Sequence, residues 1–159
     1  YKGGTSSFVK TSKEYIPTFI KAGSIIPMIK NIQNTDNYSL DNLELHYYPD
    51  LLKKNNRNFY NDNGLLANAF EKEEYEIIQV GVSDKKALKK ITVESKIGKK
   101  YDVKKRKIEI IIHHANKKPK KVIKNNKNIS FEYNNITNSI HVFTDWVTSK
   151  KLKIKIKTI

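Results

Sequence analysis

Two aspartates beside tyrosines are the first residues whose types suggest chemistry. Asp50 follows Tyr47-Tyr48-Pro49, and Asp62 stands two residues after Tyr60. Paired carboxylates serve as nucleophile and general acid/base in glycosyl transfer, about 5 Å apart in retaining enzymes. The local sequence gives both a plainer role. Pro49-Asp50 and Asp62-Asn63-Gly64 are turn sequences, in which aspartate accepts hydrogen bonds from its own nearby backbone. No catalytic residue is assigned. The four histidines are His46, His113, His114 and His141. Adjacent strand residues point to opposite faces, so His113 and His114 cannot share one ion. His46 and His141 lie far away in sequence with no supporting carboxylate spacing. Neither a metal site nor a cofactor site is expected. Trp146, Tyr47, Tyr48 and Tyr60 are the aromatic side chains that could stack on sugar rings. Packing is the competing role, because aromatics bury large areas, and it is favoured for Trp146.

The elements that would position these residues are strands. Leu43-Glu44-Leu45-His46-Tyr47 and Ile129-Ser130-Phe131-Glu132-Tyr133 alternate apolar and polar residues, and Leu152 to Lys157 alternates strictly. That last pattern puts three aliphatics on one face and three lysines on the other, where lysine discourages edge-to-edge pairing. Further candidates are Tyr75 to Val82, Lys90 to Ser95, Lys107 to His113 and Ile140 to Phe143. Turn formers separate them, at Asn61 to Gly64, Asn125-Asn126 and Asn134-Asn135. Leu65 to Ile77 has helix-friendly residues but keeps no sustained 3.6-residue period, so no helix is assigned there. Short strands at near-regular spacing predict an all-β chain of two small antiparallel β-sandwich domains in tandem.

Composition narrows the class. The 159 residues suffice for one medium or two small domains. Aromatics at 10% argue against disorder. The absence of cysteine rules out disulfides and thiolate metal sites, but not export. No apolar run approaches the length of a membrane span. Tyr1-Lys2-Gly3-Gly4 offers neither an initiator methionine nor a signal-peptide pattern, and reads as a start inside a longer chain.

The net charge of +15 is unevenly distributed. Residues 1–70 carry eight Lys or Arg and six Asp or Glu, whereas residues 71–159 carry 23 and ten. This shift is the best candidate boundary, dividing the chain into 1–70 and 71–159. Only Arg57 and Arg106 are arginine, whereas a specific reader of nucleic acid would use more bidentate guanidinium. Lysine and asparagine enriched together fit an AT-rich genome, and no nucleic-acid partner is expected. Lys117-Lys118-Pro119-Lys120-Lys121 is read as a solvated turn rather than a polyanion patch.

One segment identifies more than a strand. Tyr15-Ile16-Pro17-Thr18-Phe19-Ile20-Lys21-Ala22-Gly23-Ser24-Ile25-Ile26-Pro27-Met28 places two apolar runs around a Lys-Ala-Gly-Ser break, as in strand-turn-strand. It is followed by Gln33 to Asp36, by Leu43 to Asp50, by Phe59 to Gly64 and by Glu73-Glu74-Tyr75. In that order these segments resemble the C-terminal region of glycoside hydrolase family 31, the α-glucosidase and α-xylosidase family. Members read approximately I-P-V-F-(V/I)-R-A-G-(S/A)-I-(I/L)-P, then a strand ending Y-P-G, then F-x-x-Y-E-D-D-G and G-E-Y. Lys107 to His113, Lys118-Pro119 to Val122, Phe131 to Tyr133 and the alternating C-terminus resemble the strands of the distal domain, so the likeness spans essentially the whole chain. Lys21 stands where the family has arginine, and Asn61 and Asn63 replace acidic residues.

The resemblance implies a proximal β-domain packed on a (β/α)8 catalytic barrel, with a distal sandwich beyond it. The two catalytic aspartates would lie on that barrel, and no motif for it occurs in this chain. The expected function is therefore accessory: β-domains supporting a retaining α-glycosidase without cofactor, inactive alone. Export or a secretory compartment is implied by the resemblance only. The alternatives are a stand-alone module binding oligosaccharide through its tyrosines and Trp146, and a basic domain binding polyanions.

Overall fold

A computed structural model describes residues 2–50, 54–85 and 87–158; Tyr1 lies outside them. The fold is all-β. Eleven strands run in chain order as β1 (Ile25–Ile29), β2 (Asn42–Tyr47), β3 (Lys54–Asn61), β4 (Glu76–Lys85), β5 (Leu88–Ile97), β6 (Lys105–Ile112), β7 (Lys121–Lys124), β8 (Lys127–Ile129), β9 (Glu132–Asn134), β10 (Ser139–Val147) and β11 (Leu152–Lys157). No α-helix occurs among the described residues, and Leu65 to Ile77 is turns leading into β4.

The strands form two sheets. The first has the order β1-β2-β6-β10-β9, and the second β3-β4-β5-β11-β7-β8. All pairings are antiparallel except β2 with β6, which run parallel with Leu45 beside Ile110. The alternation read from sequence sets the inward faces. Leu43, Leu45 and Tyr47 of β2 lie beside Ile108, Ile110 and Ile112 of β6, all essentially excluded from solvent. They share one core with Ile78, Val80, Ile91, Val93 and the β11 aliphatics Leu152, Ile154 and Ile156 from the second sheet. Burying each such side chain is worth about 1.5–3 kcal/mol.

Two buried polar links also cross between the sheets. Arg106 of β6 grips Glu76 of β4 with both guanidinium ends, at 2.9 and 2.6 Å. The Ser95 hydroxyl completes the carboxylate's partners. The Tyr47 hydroxyl donates to Asp84 Oδ2 at 3.2 Å, and Lys89 pairs with the same carboxylate at 3.0 Å. Burial, then the Asp84 charge, pushes the Tyr47 hydroxyl up to about 12.

Several expectations are modified. Residue 70 falls inside the connection of the β3–β4 hairpin, and each sheet takes strands from both sides of it. The charge shift there records lysines on outward faces, not a gap in the core. Residues 18–20 form no strand, so only the second half of the Ile-Pro to Ile-Pro-Met segment does. The run at 129–133 is split between β8 and β9. β3 was not foreseen, because Asn55, Asn56 and Asn58 have poor strand propensity and only pairing to β4 extends them.

Turns follow their residues closely. Asn125 and Asn126 both take positive φ, 43° and 72°, and join β7 to β8. Gly23 has φ +84°, and its N–H donates to the Tyr48 carbonyl at 2.7 Å. A Cβ there would come 2.9 Å from the Asn55 amide. Conformation and space thus both demand the glycine of the Lys-Ala-Gly-Ser break.

Candidate functional site

The outward positions of the first sheet bring together several titratable side chains that lie far apart in sequence. Alternation aims Glu44 and His46 of β2 away from the core, and Glu109 of β6 and His141 of β10 point the same way. The parallel register sets Glu44 directly beside Glu109. Each carboxylate is engaged by a histidine. His141 Nδ1 lies 2.7 Å from Glu109 Oε1, and His46 Nε2 lies 3.4 Å from Glu44 Oε2. The other His141 nitrogen meets the Ser139 hydroxyl at 2.8 Å.

His113, immediately after β6, joins this group from the strand end. Its Nε2 is 2.9 Å from Nδ1 of His46, and its ring stacks on Tyr48 with centroids 4.2 Å apart. One nitrogen of that His–His contact must donate and the other accept, so both rings cannot be protonated in this geometry. Burial, then the charges of His46, His114 and His141, holds the His113 pKa below its usual value. His113 and His114 lie beyond the end of β6, so strand alternation does not separate them: His114 takes φ 52°, and its ring also meets Tyr48, tilted with centroids 6.3 Å apart.

Beside these pairs runs a groove of about 410 Å³, lined by Glu44, Glu109, Lys107, Phe143 and Asp145 among others. Phe143 is half exposed. The arrangement offers hydrogen-bond acceptors, a proton-sharing imidazole pair and an aromatic face. Those are the means of recognition, and the carboxylates are already held by histidine. Among the described residues no group of three or more His, Cys, Asp or Glu could hold a metal ion.

The residues singled out from sequence disperse. Asp62 accepts from the Gly64 N–H at 2.8 Å and from the Tyr60 hydroxyl at 2.8 Å, which is the turn role expected of it. Asn63 accepts from the Leu65 N–H at 3.0 Å and opens a long connection, not a two-residue hairpin. Asn61 does what an acid could not. Its amide accepts from the Tyr38 hydroxyl and donates to the Tyr101 hydroxyl, at 3.3 and 2.8 Å. Trp146 is 3% exposed, donates Nε1–H to the Lys150 carbonyl at 2.7 Å and lies against Arg106. It is a core residue. Tyr47 is likewise buried, whereas Tyr60 remains half exposed and stacks on Tyr75. Sequence reasoning missed Glu44 and Glu109 as a pair, because only the β2–β6 register brings them together. Their one sequence signal was a glutamate alternating with aliphatics in two separate strands.

Ahead of β1 the chain presents a different surface. Among residues 2–24 the side chains of Phe8, Tyr15 and Ile16 face solvent, with Phe8 fully exposed. The short-range contacts there include a bridge between Ser12 and Tyr15 and a bond from the Tyr15 hydroxyl to the Lys10 carbonyl at 2.8 Å. No helix of the described residues is long and apolar enough to cross a membrane.

Comparison with known proteins adds three likenesses. An alpha-xylosidase of Saccharolobus solfataricus is 31% identical over 98 residues, covering 61% of this chain. The GH31 dextranase of Flavobacterium johnsoniae superposes over 87% of the chain with a TM-score of 0.71 at 22% identity. The GH31 alpha-xylosidase of Xanthomonas citri superposes over 83% with a TM-score of 0.56 at 14% identity. At such identities the two structures speak for the fold. The chain spans 13% of the length of the first relative, and 19% and 12% of the two structures. No family model matches.

Proposed function

We propose, on the premise that the chain is similar in sequence and fold to the C-terminal region of glycoside hydrolase family 31, that it is an accessory β-region supporting a catalytic barrel outside this sequence. The barrel would carry the aspartates of a retaining α-glycosidase. This chain would supply a rigid sandwich and an apolar docking strip. One observation carries the reading: Phe8, Tyr15 and Ile16 present large apolar surface in the segment leading into the sandwich. Three large apolar side chains exposed within one short segment fit a contact with another domain. The relatives' greater length supplies room for such a domain.

On this reading the isolated chain does not hydrolyse α-glycosides. Assay with 4-nitrophenyl α-xyloside and α-glucoside tests it, and enzyme-like turnover by the chain alone would overturn it. The coding sequence upstream of Tyr1 gives an independent check. A barrel with paired strand-end aspartates is expected there, whereas an in-frame stop followed by a start codon would leave the chain without its barrel. Burial of Trp146 removes the main stacking platform that a stand-alone sugar-binding module would need.

A further inference from the structure

The outer face of the second sheet carries lysines that the fold does not explain. Lys153, Lys155 and Lys157 alternate along β11, which sits inside the sheet between β5 and β7. They guard no edge, so the usual reason for an outward lysine on a strand does not apply. The register makes their placement costly. Lys155 lies directly opposite Lys90, and Lys157 directly opposite Lys121. Like charges facing each other across strands are destabilising. The ion pairs of the described residues include none of these five lysines. Glu94, on the same outward side of β5 as Lys90, is held by Lys151 at 2.9 Å.

The lysines form rows rather than a scatter. Lys54 pairs with Ser83, Ser83 with Lys90 and Lys90 with Lys155. With strands about 4.8 Å apart, these three lysines span roughly 14 Å across the sheet. The next row is Asn56, Gly81, Thr92 and Lys153. Gly81 lets the Thr92 hydroxyl and the Asn56 amide oxygen close over it, since a Cβ would come 2.8 Å from the first and 3.0 Å from the second, and so brings these polar groups together. Asn58 and Gln79 continue the polar strip one row on.

We propose that this face binds an anionic polysaccharide, a linear glycan bearing carboxylate or sulfate groups. Ammonium rows match repeated point charges along an extended chain, and the neighbouring amides and hydroxyl match sugar hydroxyls. Duplex DNA is a poorer fit, because a flat sheet face does not enter a groove to read bases. Single-stranded nucleic acid calls for a series of aromatic stacking platforms, and the rows of Lys90 and Lys153 contain no aromatic residue, Tyr60 lying two rows beyond Asn56. An anionic membrane would satisfy the lysines but leave the amide–hydroxyl strip without a matching partner.

The test is titration of the chain with polygalacturonate and with dextran sulfate, neutral dextran serving as control. Binding to at least one charged glycan is expected, with affinity falling about tenfold or more between 50 and 300 mM salt through counterion release. The triple variant Lys90→Gln/Lys155→Gln/Lys157→Gln should weaken it at least about tenfold. Lys2→Gln/Lys10→Gln/Lys13→Gln removes the same net charge elsewhere and should change it by less than about threefold, since exposed charges beyond a Debye length are screened. Melting curves verify that both variants fold. Equal losses in the two variants, no binding to either charged glycan at 50 mM salt, or tighter binding to duplex DNA or phosphatidylserine vesicles would each overturn the proposal.

Discussion

The two outer faces of this sandwich are built on the same pleated geometry yet solve the charge problem in opposite ways. On the first sheet each acid meets a base, within β2 for Glu44 with His46 and across strands for Glu109 with His141 and for Lys105 with Asp145 at 3.6 Å. On the second sheet lysine opposes lysine, and hardly any carboxylate intervenes. The inward faces, by contrast, are alike, aliphatic and closed. Folding therefore constrains the inward half of each strand tightly and leaves the outward half free to serve something else. The first face engages its carboxylates internally, whereas the facing lysines of the second carry no ion pair among the described residues.

The largest expected effect concerns the link between the two sheets. Glu76→Ala strands Arg106 in the core and should cost about 3–5 kcal/mol, measured by urea unfolding. A loss below about 1 kcal/mol would mean that the Arg106–Glu76 pair adds little to the link between the faces. Tyr47→Phe removes one partner of buried Asp84 and should cost about 1–3 kcal/mol. The same variant should lose the tyrosine that ionises at about 12 in a spectrophotometric titration. Because the folded pKa lies above tyrosine's ordinary value of 10.0, the wild type should lose stability as pH rises through the interval from 10 to 12, and the variant should lose less.

A smaller effect is expected on the first sheet's outer face. The His113 pKa is depressed on folding, so the unfolded chain binds the proton more readily. Its contribution is present above histidine's ordinary value of 6.5 and falls away as pH drops below it. His113→Gln should flatten the acid side of the stability profile, as followed by thermal melting between pH 5 and 8. An unchanged slope would remove His113 from the comparison. The smallest effect should be a gain. Lys155→Thr relieves the opposition to Lys90 and should stabilise by about 0.2–1 kcal/mol, which would confirm that the second face carries an unfavourable charge arrangement in the free protein.

Much of the fold was legible because its signal is local. Leu43 to Tyr47 and Leu152 to Lys157 alternate strictly, and both are strands with the aliphatic half inside. Asn125-Asn126 is a turn because asparagine tolerates positive φ. β3 was not legible, since its asparagines argue against a strand and only the hydrogen-bonding edge of β4 holds them extended. The Glu44–Glu109 and His46–His113 contacts were equally hidden, because each joins residues more than sixty positions apart. Lysine on β11 was readable as outward-facing, but its usual role as an edge guard failed once β11 proved central.

By itself the sequence determined the all-β class, the inward half of each long strand, the main turns and the resemblance to family 31. Those depend on period-two alternation, on backbone preferences of glycine and asparagine, and on motif order. Tertiary structure alone decided which strands are neighbours. Hence it alone decided that Trp146 lies in the core, that Arg106 closes on Glu76, and that lysines far apart in sequence face one another. The physical reason is that strand pairing is non-local: alternation fixes which way a side chain points, and register fixes what it meets.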